Sequence, residues 1–413
     1  MARLIGWTVV RASPRFPTSW AGPLAGLVLS FVIVAPDGYA QTMATEPTVK
    51  VGLQEGVRRA EVSTSVPGNW FDATGRMVMG SGAMQLWALR AENGRVVLAS
   101  RGRDIGVFAS PLRLEAPSET GRTGLVFAAG HWYRGALEIR ARGRALTVVN
   151  EVGLEPYLYG VVPAEMSPRW PLEALKAQAV AARTYALAKL GQFQSRGFDL
   201  RPNTENQVYS GASVETVASN AAVDGTHGQV LTHGGRVIAA YFHSCSGGFT
   251  DSGAAIWGEP RPYLQPVPDY DQASPRYSWQ KQVSRAGLRE GLARQGVQVG
   301  DPVRVDVLER SYSGRVLKVR VTGTSGHRDV SGGAVRTAAG LYSTLYSVAP
   351  DSFDPHGVPA RFLFAGRGHG HGLGMSQWGA RTLASNGYTH LQILAHYYPS
   401  AQLSSIPGST YTP

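Results

Sequence analysis

One carboxylate stands alone in the stretch VVPAEMSPRWPLEALKAQAVAARTYAL, Val161–Leu187: Glu165, ringed by Val161, Val162, Pro163, Met166 and Trp170. Apolar neighbours disfavour the charged form of a carboxyl group and raise its pKa, as a general acid at neutral pH requires. A second reading stays open on spacing alone, in which Glu165 caps the following helix or pairs with Arg169. Another polar group lies in GRGHGHGLGMSQWGA, Gly366–Ala380. Its glycines let backbone approach a ligand closely, and Ser376, Gln377 and the first amides of the helix that follows can bind hydroxyls or an anion. His369 and His371, two residues apart, are alternatively metal ligands in strand-like geometry. With no Asp, Glu or third His beside them, no metal is expected. A third group, YFHSCSGGFT, sets His243 and Cys245 two apart, on one face of a strand. A Cys–His dyad is conceivable there, but no helix pattern follows Cys245 to lower its thiol pKa.

The elements that must position these groups read as α+β, with mixed or antiparallel sheet and a few helices. From Thr48 to about Thr147 short alternating runs such as VKVGL, RVVLAS and ALEIRARGRALTVV predict strands. The clearest helix runs from Pro168 to Leu190, with Pro171 in its first turn. Leu172, Leu175, Ala179, Ala182 and Ala186 share one face of it, and Lys176 and Arg183 share another. Val230–Phe242 reads as a hairpin about Gly234–Gly235. RAGLREGLARQG predicts a helix, VRVDVLERSYSGRVLKVRVTG a second hairpin, and the Gly/His loop feeds a helix from about Ser376.

The chain has 413 residues, 43% of them hydrophobic, with 50 Gly, 25 Pro and a net charge of +11. That composition supports a packed core with many turns and favours an anionic partner. No Lys/Arg block interleaved with aromatics appears, so nucleic acid is not the expected partner. Arg3, Arg11 and Arg15 precede the apolar run Leu24–Ala35, and Gly38-Tyr39-Ala40 follows with small residues suited to a signal peptidase. A signal peptide over residues 1–40, cleaved after Ala40, is therefore expected, leaving a protein at most peripheral to a membrane. A single cysteine permits no internal disulfide.

The segments VVPAEMSPRWPLEALKAQAVAARTYAL, QVYSG, YFHSCSGGFT followed by IWG, and GRGHGHGLGMSQWGA occur in the order seen in the SpoIID/LytB family, which the chain resembles from about Val51 to its end. The resemblance implies a β-rich part over 41–147, a catalytic region over 148–400 with a groove between two lobes, and a tail over 401–413. It implies an exported protein of the periplasm or cell wall that acts on peptidoglycan glycan strands, either as a lytic transglycosylase or as an enhancer of a cell-wall amidase. It carries Glu165 over as the catalytic acid and Arg183 as its functional partner. It makes Lys176, Tyr209, His243, Ser244, Ser246, His369, His371, Ser376 and Gln377 candidate substrate contacts. In a lytic transglycosylase the muramyl C6 hydroxyl replaces water, so one carboxyl group suffices and no cofactor is needed. Glycan stripped of peptide carries free lactyl carboxylates, which Arg183 and Lys176 are expected to read. Some family members have a His-Cys pair before QVY and a cysteine upstream; Glu205 and Asn206 stand there in this chain, so no zinc is expected. Trp257, Tyr277 and Trp279 are further candidates for stacking on sugar.

Overall fold

The computed structural model describes residues 46–118 and 123–406. The expected signal peptide lies outside the described residues. Thr48–Gly153 folds into two six-stranded antiparallel sheets. One runs Thr48–Val57, Ala145–Gly153, Ala136–Arg142, Leu112–Glu115, Gly68–Phe71, Met77–Ser81; the other runs His131–Tyr133, Val126–Ala128, Arg59–Thr64, Trp87–Glu92, Arg95–Ser100, Arg103–Phe108. Period-2 alternation turns one face of each strand to a common core, where Trp70 and Trp87 meet edge to face at 5.9 Å.

The same core continues into helices α1 (Leu154–Glu165), α2 (Leu172–Ala188) and α3 (Val217–Asp224). The short α4 (Gly253–Trp257) follows. Ser278–Arg367 then builds around a second core, with the three-stranded sheets Ser278–Ser284/Pro359–Arg367/Tyr346–Phe353 and Pro302–Arg310/Val316–Gly323/Gly326–Ser331. Leu288 and Leu292 of α5 (Arg285–Arg294) and Val335, Ala338 and Ala339 of α6 (Gly332–Ala339) fill this core. The chain returns to the first core through α7 (Gln377–Ser385) and α8 (His390–Tyr397), and ends on strand Gln402–Ser405, paired with Gln229–Thr232. No helix among the described residues is long and apolar enough to cross a membrane.

The fold class is α+β, as the sequence predicts. Three local expectations change. Glu165 precedes the expected helix but is not outside regular structure; it is the last residue of α1, a helix that Pro156 and Pro163 conceal in the sequence. Pro163 removes one amide from the final turn and Met166 leaves it in extended conformation, so the helix stops there. The hairpin about Gly234–Gly235 is shorter than expected, Gln229–His233 with Arg236–Val237. Its continuation, Phe242–His243, instead pairs in parallel with Met375–Ser376. Gln402–Ser405, within the expected tail over 401–413, form that closing strand.

Candidate active site

The parallel pairing of Phe242–His243 with Met375–Ser376 draws two distant motifs together, and the Cys245/His369 bridge beside it fixes the Gly/His loop. Gly370 makes the crossing possible: its φ is +117°, and a Cβ there would fall 2.6 Å from the His243 Cβ. From below, α1 presents its C-terminus. Gly160 lets α1 lie against the Gln207–Tyr209 segment, since a Cβ at 160 would meet the Tyr209 ring at 2.7 Å. The outcome is a cleft of about 510 Å³ whose walls include Glu165, Tyr185, Glu205, Asn206, Tyr241, His243, Ser244, Trp257, Arg336, His369, His371 and Gln377.

Glu165 is partly buried on this wall and forms no ion pair among the described residues. Its Oε1 accepts the Val208 N–H at 2.8 Å, and its Oε2 faces the Gln377 amide at 3.4 Å. Burial raises its pKa; the bonds from Val208 and Gln377 pull the other way and do not reverse the shift. Its place at a helix C-terminus, the negative end of the dipole, acts in the same direction as burial. Oε1 takes the shorter bond, which leaves Oε2 the less tightly held oxygen. Neither bland reading of Glu165 holds, because α2 has Pro171 at its N-cap with no side-chain cap and Arg169 does not reach it. Gln377 is brought to Glu165 by a pin between motifs: Trp170 and Trp378 lie 4.9 Å apart, with the Arg381 guanidinium 4.8 Å over Trp378.

Folding raises the pKa of Glu165, so the native state binds its proton more tightly than the unfolded chain does. Stability therefore falls as pH rises from the unfolded to the folded value. Glu165→Gln, with no charge to desolvate, is expected to melt above the parent at pH 7 and level with it at pH 3, measured by calorimetry. Any reaction that needs the protonated acid is expected to decline on the alkaline limb of its pH profile with the same group.

The histidines face the cleft as neutral rings. The His243 Nδ1–H donates to the Leu373 carbonyl at 3.1 Å, which leaves Nε2 an acceptor, and that buried atom has no partner among the described residues. Burial holds the His243 pKa far below its usual value, and burial with Arg315 and Arg336 nearby brings His371 down to about 3. His371 Nδ1 accepts the Leu373 N–H at 3.0 Å, and its ring stands 5.3 Å from His243 and 5.4 Å from Trp257. His369 packs on Tyr342. No group of three His, Cys, Asp or Glu side chains arranged for a metal occurs among the described residues.

Several expected contacts lie elsewhere. Arg183 is fully buried and bonded to both oxygens of Glu155, at 2.7 and 2.6 Å, with further bonds to the Gln229 and Val223 carbonyls. It ties α2 to α1 and has no free face for substrate. Lys176 pairs with Glu173 at 2.8 Å, which also binds His390 of α8, so it too faces away from the cleft. Tyr209 is core: its hydroxyl donates to Asn150 at 2.9 Å and its ring packs on Tyr133 and Tyr157. Ser246 is buried and donates to Asp269. Ser376 is the N-cap of α7, accepting the Gly379 N–H at 3.2 Å. Trp279 is core, its indole N–H bonded to the Gly368 carbonyl at 2.9 Å, and Tyr277 stays off the cleft. Glu205 is held by Arg201 at 2.6 Å, and Asn206 donates to Tyr185 and Gln192.

Cys245 is buried and accepts the Ser274 hydroxyl at 3.1 Å; burial pushes its thiol up to about 11. No modification of the native protein by a thiol reagent at pH 8 is expected, with full modification after denaturation; rapid labelling of the folded chain would contradict that burial.

Residues that sequence reading missed are Tyr185, Tyr241 and Arg336 on the walls, and Glu155 as the partner of Arg183. Tyr185 lies within the quoted helix motif and was within reach; Arg336, in a segment without any recognised motif, was not.

The Stage II sporulation protein family matches residues 142–233, which hold α1, α2 and Glu165, and the Domain of unknown function (DUF8618) family matches residues 263–374. An uncharacterised protein of Brachyspira hyodysenteriae is 34% identical over 267 residues, 64% of this chain and 70% of its own length. The Stage II sporulation protein D of Bacillus subtilis is 31% identical over 272 residues, 62% of this chain and 76% of its own. The Amidase enhancer of Bacillus subtilis is 29% identical over 299 residues, covering 60% of this chain and only 40% of that longer protein. Matched by the family model and by relatives at 34% and 31% identity over 70% and 76% of their own length, the chain belongs to the SpoIID/LytB family.

Proposed function

We propose that this protein is exported to the cell wall, binds peptidoglycan glycan in the cleft and cuts the MurNAc–GlcNAc linkage by lytic transglycosylation. The observation that carries this reading is Glu165: an acid with no ion pair among the described residues, raised in pKa, on the wall of a cleft of about 510 Å³. Protonated at Oε2, Glu165 gives its proton to the glycosidic oxygen as the C1–O bond breaks. The C6 hydroxyl of the same muramyl unit then attacks C1, and its proton returns to Glu165. No water is consumed and the product ends in 1,6-anhydromuramic acid. The Val208 N–H and the Gln377 amide stabilise the carboxylate between the two transfers. Tyr241 and Trp257 offer ring faces for sugar, and His243 Nε2 offers an acceptor for a hydroxyl.

The name of the Bacillus subtilis relative supports a second reading, a protein that binds wall glycan and stimulates an amidase without cutting the strand. The same cleft serves both. Mass spectrometry of glycan incubated with the purified protein separates them: 1,6-anhydromuramyl ends support the lytic reading, and intact strands leave the enhancer.

A further inference from the structure

The anion-reading role expected of Arg183 and Lys176 falls vacant once both are found in ion pairs with Glu155 and Glu173. The cleft nevertheless holds a guanidinium. Arg336 is set on α6, a helix fixed at one end by the Ser331 side chain accepting the Ala334 N–H and at the other by Gly340 in left-handed conformation. It lines the cleft together with Glu165 and Gln377, yet it rises from the second core, not the one that carries the acid.

Arg336 is half-buried and pairs with no carboxylate among the described residues. Its one side-chain hydrogen bond among the described residues is from Nε to the Leu341 carbonyl, at 3.4 Å, so the two terminal nitrogens, NH1 and NH2, have no acceptor among them. Burial alone disfavours its charge. A desolvated cation without a partner is costly unless something else completes it. None of the titratable cleft side chains pairs with it: His369 and His371 are neutral, Glu205 is committed to Arg201, and Glu165 bonds Val208 and Gln377 instead. Arg276, stacked 4.2 Å over the Tyr342 ring that packs on His369, adds positive charge near His369. A planar, two-oxygen acceptor presented by a ligand in the cleft matches the open edge of such a guanidinium.

We infer that Arg336 is a carboxylate-binding subsite that grips the lactyl carboxylate of a muramyl unit, so that the second core supplies the preference for peptide-free muramyl glycan over neutral glycan. This rests on the cleft being the glycan site. It assigns Arg336 to binding and specificity, with Glu165 alone moving the proton.

The test uses the Glu165→Gln protein, so that ligand persists, and follows intrinsic tryptophan fluorescence, since Trp257 lines the cleft. It is titrated with oligomers of alternating GlcNAc and MurNAc bearing free lactyl groups, and with GlcNAc oligomers of equal length. The expected result is roughly 10- to 100-fold tighter binding of the muramyl oligomer, the span of one or two hydrogen bonds to a charged group. Adding Arg336→Gln is expected to remove that preference while leaving the neutral oligomer within 2- to 3-fold by the same reckoning, and Arg336→Lys to restore part of it. Lys189→Gln, a cation over the Tyr185 and Tyr241 rings at the aromatic end, is expected to keep the preference. A preference that survives Arg336→Gln, or equal weakening of both ligands, overturns the assignment. Anhydromuramyl products formed by an enzyme without carboxylate preference would sink this inference alone. Preference without product would sink only the lytic reading.

Discussion

Glu165→Gln is expected to reduce the release of 1,6-anhydromuramyl ends by about 10²–10⁴-fold, the usual worth of a positioned general acid. The amide is nearly isosteric. Its oxygen can still accept the Val208 N–H that now bonds Oε1, and the Gln377 amide can turn to meet its NH2. What it cannot do is give a proton to the leaving oxygen or take one back from the C6 hydroxyl. Binding of glycan is therefore expected to persist within a few-fold while product disappears, a loss in kcat without one in KM. If the parent forms product and Glu165→Gln forms it equally well, the acid lies elsewhere. If the parent forms none, and both proteins stimulate a cell-wall amidase alike, the enhancer reading stands.

The second large effect concerns stability. Arg183→Ala is expected to cost about 3–5 kcal/mol, because it strands a buried carboxylate and removes a donor from the Gln229 and Val223 carbonyls. For a chain of this size that corresponds to a fall in Tm of roughly 4–7 °C. Replacing both partners, Arg183→Met with Glu155→Leu, is expected to recover most of it, since the desolvation of two charges disappears with their attraction. The measurement is thermal unfolding followed by circular dichroism for the two single variants and the pair. A substrate-reading Arg183 would behave differently: KM would rise with Tm unchanged. An unmoved Tm for Arg183→Ala would contradict the buried bidentate pair.

That contrast also marks what the sequence reveals and what it hides. Helix α2 was legible because its apolar residues recur at helical spacing; the expected Pro168–Leu190 brackets the observed Leu172–Ala188. Glu165 was legible as an isolated acid among apolar neighbours. The loop histidines were legible because glycine alternates with them. Helix α1 was not, because Pro156 and Pro163 within twelve residues read as a break, although only one sits in a turn where it removes a helical bond. With α1 unread, Glu155 had no helix to place it opposite Arg183, so a structural cation looked available for substrate. The same limit applies to Lys176: its partner Glu173 was visible at one turn's distance, but the second partner of Glu173, His390, comes from a helix more than 200 residues on. Charge type is local information; whether a charge is spent is decided by contacts the spacing does not carry.

The parallel pairing of Phe242–His243 with Met375–Ser376 spans an insertion with its own core. Helix α1 and its acid leave the ribosome early, whereas Gln377, the Gly/His loop and the strand Gln402–Ser405 are made last. A nascent or clipped molecule ending before Gly368 would own the proton donor but lack the opposite bank. The complete cleft therefore forms only once residues well beyond the second core have been made and have paired back onto the first.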